Sequence, residues 1–148
     1  MSQPPHFTVD GTIYFVTTRV DQIGRHLNLS EMRLIKKVIL SLQGESHYLL
    51  FAYAVMPDHL HLLFKPQRSE ISKAMQMVKG RSSRMINKGR LWQKGFYDVT
   101  LYSQDKFRQK FNYIHYNPVK RGLVKRAEDY QFSSATRYHS EYGTVFYQ

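Results

Sequence analysis

The chain has no cysteine among its 148 residues, which excludes disulfides, zinc ribbons and thiol nucleophiles together. Acidic residues are scarce. Only 11 Asp and Glu stand against 22 Lys and Arg, giving a formal net charge of +11 at pH 7. No apolar run approaches the ~18 residues that a membrane-spanning helix needs. The opening Met1-Ser2-Gln3-Pro4-Pro5-His6 lacks the basic-then-apolar pattern of a secretory signal. Tryptophan occurs once, and no internal repeat or low-complexity stretch is present. These absences lead to the expectation of a soluble, cytoplasmic protein with no membrane partner, folded as one domain over residues 1–148. With 42% hydrophobic content, such a chain can bury roughly two thirds of its unfolded surface.

What is present is unevenly placed. Residues 65–126 hold 16 Lys and Arg against Glu70, Asp98 and Asp105, a net of +13, whereas the remainder nets −2. A basic surface alone speaks only for solubility. Its concentration in one stretch, interleaved with Tyr, Phe and Trp, points to nucleic acid.

The segment Ala54-Val55-Met56-Pro57-Asp58-His59-Leu60-His61-Leu62-Leu63-Phe64-Lys65 reads as strand, tight turn and strand. Side chains alternate along a strand, so His59 and His61 share one face while Leu60, Leu62 and Phe64 take the other. Before it, Thr12 to Arg19 is a β-branched and aromatic strand. A helix is expected from Ser30 as N-cap, with Leu29 stapled onto Leu34 and a stop at Gly44. Residues 47–55 read as a central strand buried on both faces. A second helix begins near Ser69, with a bend or break expected at Gly80 and Ser82-Ser83. A short strand at residues 96–101 leads into a third helix over 104–117, ended by Pro118. One helical turn near 133–137 and an extended end close the chain. Strand-helix-strand-strand-helix-strand is the order of a ferredoxin-like α+β sandwich. Its antiparallel sheet is expected to carry helices on one face and the His59/His61 strand at its centre, histidines on an open face, with the third helix added to that core.

On a helical wheel, Phe107, Phe111 and Ile114 form an inward stripe. Lys106, Lys110, Tyr113 and Asn117 gather beside it, His115 and Arg108 lie on the far flank, and Tyr116 points away. This grouping suits phosphodiester cleavage. A tyrosine can attack phosphorus and form a covalent ester, but a phenol is mostly protonated at neutral pH. A divalent cation then helps by neutralising the phosphate. Two imidazoles and the Asn117 oxygen, one turn beyond Tyr113, form a candidate cation site, and ligand type alone leaves zinc open.

These residues resemble the REP-associated tyrosine transposases, a group of single-tyrosine HUH transposases. The resemblance covers residues 12–137. It rests on Tyr14-Phe15-Val16-Thr17-Thr18-Arg19, on Met56-Pro57-Asp58-His59-Leu60-His61 and on Leu91-Trp92-Gln93-Lys94-Gly95-Phe96-Tyr97-Asp98. The most specific block is Tyr113-Ile114-His115-Tyr116-Asn117-Pro118-Val119-Lys120-Arg121-Gly122-Leu123-Val124, and Asp129-Tyr130-Gln131-Phe132-Ser133-Ser134-Ala135 resembles the closing block. There Gln131-Phe132 departs from the usual Pro-Trp. The resemblance implies that His59 and His61 are the metal ligands of the HUH motif, with Asn117 as the polar ligand. Tyr113 is then the nucleophile that forms a 5′-phosphotyrosine, and the metal is Mg²⁺ or Mn²⁺. The implied partner is single-stranded DNA with hairpins of the repetitive extragenic palindrome type. The implied protein acts as a monomer, a dimer with shared sites being the alternative.

Candidates for holding that DNA are Arg19, Lys79, Arg81, Arg84, Lys88, Arg90, Lys94, Lys106, Lys110, Lys120 and Arg121 on phosphates, and Trp92 by stacking. Phe96 and Tyr97 are further stacking candidates. The alternative is a domesticated protein that grips hairpins without cutting. A phosphoesterase built on two His-x-Ser/Thr motifs fits less well, because no second motif accompanies His59-Leu60-His61.

Overall fold

The computed structural model describes residues 11–143, apart from positions 23 and 87. In chain order these form β1 (Ile13–Arg19), α1 (Leu29–Gly44), β2 (Tyr48–Val55), β3 (His59–Pro66), α2 (Ile71–Ile86), β4 (Tyr97–Leu101), α3 (Gln104–Lys120) and α4 (Ala135–Tyr142). A 3-10 turn at Ala127–Asp129 precedes α4. All strand pairs are antiparallel in the order β2-β3-β1-β4, so the fold is the ferredoxin-like α+β arrangement and the histidine strand β3 is central. Leu60, Leu62 and Phe64 are fully buried on the face that carries α1 and α2. Phe64 packs on Tyr48 with ring centroids 5.1 Å apart, and the Tyr48 hydroxyl donates to the Ile39 carbonyl of α1 at 2.6 Å.

The opposite face is not open as the sequence led us to expect. Phe107, Phe111 and Ile114 form a fully apolar stripe on α3, and such a stripe must be covered. It docks on the sheet, with Phe107 edge-on to Phe51 of β2 at 5.4 Å. His59 and His61 are therefore buried, at 2% and 3% exposure. His115, expected on the far flank of α3, is buried as well. α4 covers it, with Tyr138 at 5.7 Å from its ring, and its Nε2 lies 2.6 Å from Ser134 Oγ.

Other expectations are corrected by partners distant in sequence. β2 is an edge strand, not a central one. It reads as a buried run because residues 130–134 shield its second half: Val55 N–H donates to the Phe132 carbonyl (2.8 Å), Ser134 N–H to the Tyr53 carbonyl (3.0 Å), and the Tyr130 hydroxyl to the Val55 carbonyl (2.6 Å). An unshielded edge would invite pairing with another chain.

The N-cap of α1 is Asn28, not Ser30, in a reciprocal capping box with Glu31. Leu29 is 58% exposed and follows the cap instead of preceding it as a staple residue does. The left-handed residue after α1 is Ser46 (φ 64°), not Gly44. α2 runs unbroken through Gly80 and Ser82, because Ser82 is buried and satisfied. Its hydroxyl donates to the Val78 carbonyl at 2.7 Å and accepts from Trp92 Nε1 at 2.8 Å. α3 passes through Pro118 to Lys120. Proline removes one backbone donor, but Pro118 is itself buried, and this packing carries the helix one turn further. α4 extends well past the single turn expected there, anchored by the Tyr138 hydroxyl on the Phe51 carbonyl at 2.6 Å. The extended end expected after it lies outside the described residues.

Candidate active site

β3 places His59 and His61 side by side, ring centroids 4.6 Å apart and Nε2 atoms 3.0 Å apart. Their outer nitrogens are engaged: His59 Nδ1 lies 2.6 Å from Asp58 Oδ1, and His61 Nδ1 lies 2.9 Å from Thr17 Oγ1. Burial opposes ionisation of Asp58, yet the hydrogen bond from His59 and the charge of Arg121 hold its carboxyl below the usual range. An ionised carboxylate only accepts, so His59 carries its proton on Nδ1 and turns a lone pair inward. Burial pushes His59 down, and it pushes His61 down to about 3 with help from His59, Arg19, Lys110 and Arg121. Both rings are neutral near pH 7. The Thr17 hydroxyl can donate to His61 Nδ1 or accept from it. It therefore serves the tautomer in which His61 donates to His59 and equally the one in which both Nε2 lone pairs face inward.

α3 crosses over this pair. The Tyr113 ring stands 5.4 Å from the His61 ring and 5.9 Å from Phe15, edge-on to both. Two turns along, Arg121 Nη2 reaches Asp58 Oδ2 at 3.5 Å. Asn117 lies between them on the helix, 5% exposed, with a buried Oδ1 that accepts no hydrogen bond. Orphaned buried acceptors are rare in folded proteins. Among the described residues no group of three His, Cys, Asp or Glu side chains gathers, so a cation here would draw its third protein donor from an amide. The imidazole pair fits one. Two lone pairs 3.0 Å apart match adjacent ligands about 2.1 Å from an octahedral ion, and each outer nitrogen is oriented in the way metal-bound imidazoles require.

Beside the histidines opens a cleft of about 750 Å³, lined among others by Arg19, His61, Lys94, Tyr97, Lys110 and Tyr113. Lys110 Nζ stands 4.6 Å over the Phe15 ring and 5.8 Å from the Tyr113 ring. The structure thus brings Arg19, Lys94 and Lys110 to one wall system with Tyr113.

Other DNA candidates are placed differently. Trp92 is 3% exposed with its N–H bonded to Ser82, so it is a core residue, not a stacking face. Lys79 Nζ donates to the carbonyls of Gln93 and Gly95 at 2.7 and 2.6 Å, tying that loop to α2. Arg81 makes a two-pronged pair with Glu45 (2.7 and 2.8 Å), away from the cleft. Lys88 stands 3.5 Å from Glu31 and Arg90 4.0 Å from Asp21. Arg84, Lys106 and Lys120 are exposed and do not line the cleft. Sequence reasoning missed Thr17, Phe15 and the orienting role of Asp58. Adjacency of a carboxylate to His59 was a usable signal, but the strand register that puts Thr17 opposite His61 was not.

The family model described as "Transposase IS200 like" matches residues 13–117. The chain belongs to that family. It is an enzyme of the transposase kind, and the match ends on Asn117, taking in both histidines and Tyr113. Two curated transposases resemble it along most of their length. One is the REP-associated tyrosine transposase of Escherichia coli K12, 23% identical over 139 residues, covering 93% of this chain and 84% of that protein. The other is a putative REP-associated tyrosine transposase of Haemophilus influenzae, 26% identical over 151 residues, covering 88% and 83%. Among solved structures, a REP-associated tyrosine transposase bound to a REP hairpin has the same fold. Its TM-score is 0.80 at 22% identity, with 100% of this chain and 92% of that one covered. A putative transposase of Deinococcus radiodurans aligns at TM-score 0.53 and 19% identity, over 77% of this chain and 95% of that one. No helix of this transposase, among the described residues, is long and apolar enough to cross a membrane.

Proposed function

We propose that the chain is a metal-dependent single-strand DNA endonuclease and strand transferase that cuts at or near hairpin-forming repetitive DNA. The observation that carries this reading is the Tyr113 ring, 5.4 Å from His61 within one chain, beside a cleft lined by Arg19, Lys94 and Lys110. The hairpin partner is inferred from the relatives, one of which binds a REP hairpin. Assembly of the site from one chain supports action as a monomer, with Tyr113 used in cis.

His59 Nε2, His61 Nε2 and Asn117 Oδ1 would hold the Mg²⁺ or Mn²⁺. When bound, that ion supplies positive charge on the phosphate oxygens and a template for the strand being cut. The rest falls to the protein. Lys110 and Arg19 draw the phosphate into the cleft, and Phe15 holds the Tyr113 ring edge-on. The Tyr113 oxygen, on a side chain 41% exposed, attacks phosphorus and gives its proton to solvent. A Tyr–O–P bond forms, the bond from phosphorus to the 3′ oxygen breaks, and the 3′ oxygen leaves as a hydroxyl after taking up a proton. The covalent ester keeps the bond energy for rejoining. Asp58, steadied by Arg121, holds His59 in its Nδ1–H tautomer throughout.

The test is incubation of the protein with labelled DNA hairpins bearing single-stranded arms and Mg²⁺, followed by denaturing electrophoresis. A denaturant-resistant adduct is expected, lost in Tyr113→Phe while gel-shift affinity stays within about two-fold, less than 0.5 kcal/mol. Binding without any adduct would instead describe a hairpin-gripping protein that does not cut.

A further inference from the structure

A row of side chains crosses the sheet at the level of the candidate site. His61 on β3 lies opposite Thr17 on β1, and Thr17 lies opposite Tyr97 on β4. Directly opposed residues of antiparallel strands project from the same face, so Tyr97 stands on the His61 side of the sheet. Neighbouring strands are about 4.8 Å apart, which sets Tyr97 about 10 Å from His61 across the row. It lines the same cleft as His61 and Tyr113, yet it is 63% exposed. A large ring held in the open on a strand is apolar area left unused by the core.

The surroundings of this ring are built rather than loose. Lys79 fixes the adjoining loop through the Gln93 and Gly95 carbonyls, and Gln93 N–H donates to the Arg19 carbonyl at 2.9 Å. The same loop presents Lys94 to the cleft, where Arg19 and Lys110 supply further positive charge. Cations that track a backbone beside an exposed aromatic face are the elements of single-strand recognition. The cleft runs from Tyr113 past Thr17 of β1 to Tyr97 of β4, so it offers a strand whose phosphate sits at Tyr113 a bed for a neighbouring base on that side.

We propose that Tyr97 is a stacking platform for an unpaired nucleobase adjoining the phosphate that Tyr113 attacks. The assignment rests on the single-strand reading above. The ring does the work and the hydroxyl is dispensable. Every base has a π-face, so the contact is tolerant of sequence. It sets which phosphate reaches Tyr113 by holding the strand in register.

The probe is a DNA hairpin with mixed-sequence single-stranded arms, carrying 2-aminopurine at successive arm positions, titrated with the full chain in chelator to prevent cutting. One arm position is expected to change its emission on binding wild type and Tyr97→Phe, but not Tyr97→Ala. Tyr97→Ala should weaken binding about ten-fold. An abasic site at that position should weaken wild type by a similar factor and leave Tyr97→Ala unchanged, as coupled partners require.

The proposal is overturned if Tyr97→Ala binds like wild type, if its loss adds independently to that of the abasic site, or if no arm binds at all. Adduct formation with Mg²⁺ is read in parallel. A wild-type adduct without the coupling removes the stacking role alone, and coupling without an adduct removes the chemistry while the stacking role stands.

Discussion

At the scale of single residues, Asn117 shows most directly how the site differs from the core around it. Its buried Oδ1 has no donor, and an unpartnered buried acceptor costs roughly 1–3 kcal/mol. Removing the amide should therefore stabilise the metal-free protein while disabling the site. Asn117→Leu is expected to gain about 1 kcal/mol in urea denaturation, and calorimetric affinity for Mn²⁺ should fall together with adduct formation. A variant that binds Mn²⁺ as before would remove Asn117 from the ligand set. Asp58 acts one step further out. Asp58→Ala frees the outer nitrogen of His59 and should lower Mn²⁺ affinity about 10–100-fold. That His59 and His61 share a strand face, and Tyr113 and Asn117 a helix face, was legible from two-residue and four-residue spacings, because strand alternation and helix pitch are fixed geometry. Thr17 and Phe15 were not, because their relation to His61 depends on a β1–β3 register that no local pattern encodes. Trp92 was misread for the same reason. An aromatic in a basic stretch looks available until Ser82, ten residues back, takes its N–H.

At the scale of elements, the closing segment is structural. Residues 130–134 lie against β2 and join it to α3. Ser134 is the node, with its Oγ accepting from Tyr53 N–H at 3.0 Å and lying 2.6 Å from His115 Nε2. Ser134→Ala strands both buried partners and is expected to lower stability by about 1–3 kcal/mol in urea denaturation. A neutral result would show that neither partner depends on it. The strand and helix order was readable, since β-branched runs and a 3.6-residue stripe are local signals. Neither the edge position of β2 nor the continuation of α3 beyond Pro118 could be read that way. Both depend on packing, and for β2 the covering residues 130–134 lie far along the chain.

At the scale of the whole molecule, charge and protonation govern behaviour. Burial pushes both His61 and His115 from the usual 6.5 down to about 3. Between these values the unfolded chain binds protons that the folded one refuses, so stability falls as pH falls, by up to about 1.4 kcal/mol per pH unit for each imidazole. About one unit above 6.5 both are neutral in either state and this dependence vanishes. Tm of the metal-free protein should be level from about pH 7.5 upward and decline below about 6.5, with a shallower decline in His115→Gln. An equally steep decline in that variant would mean His115 is not one of the groups.

The basic stretch sets a second dependence. DNA affinity should fall steeply with salt, and Lys94→Gln and Lys110→Gln should each reduce the logarithmic slope by about 1. Arg81→Gln, whose charge is already paired with Glu45, should leave the slope unchanged.

Attack on DNA by one phenol on α3, beside the paired imidazoles of β3, is read out by locating the covalent bond. The protein is reacted with hairpin DNA and Mn²⁺, digested with protease and nuclease, and sequenced by tandem mass spectrometry. A nucleotide mass on Tyr113, absent when His61 is replaced by Ala, is the predicted result. A nucleotide on any other tyrosine, or an unmodified Tyr113 in protein that has nicked its DNA, would mean that Tyr113 is not the nucleophile.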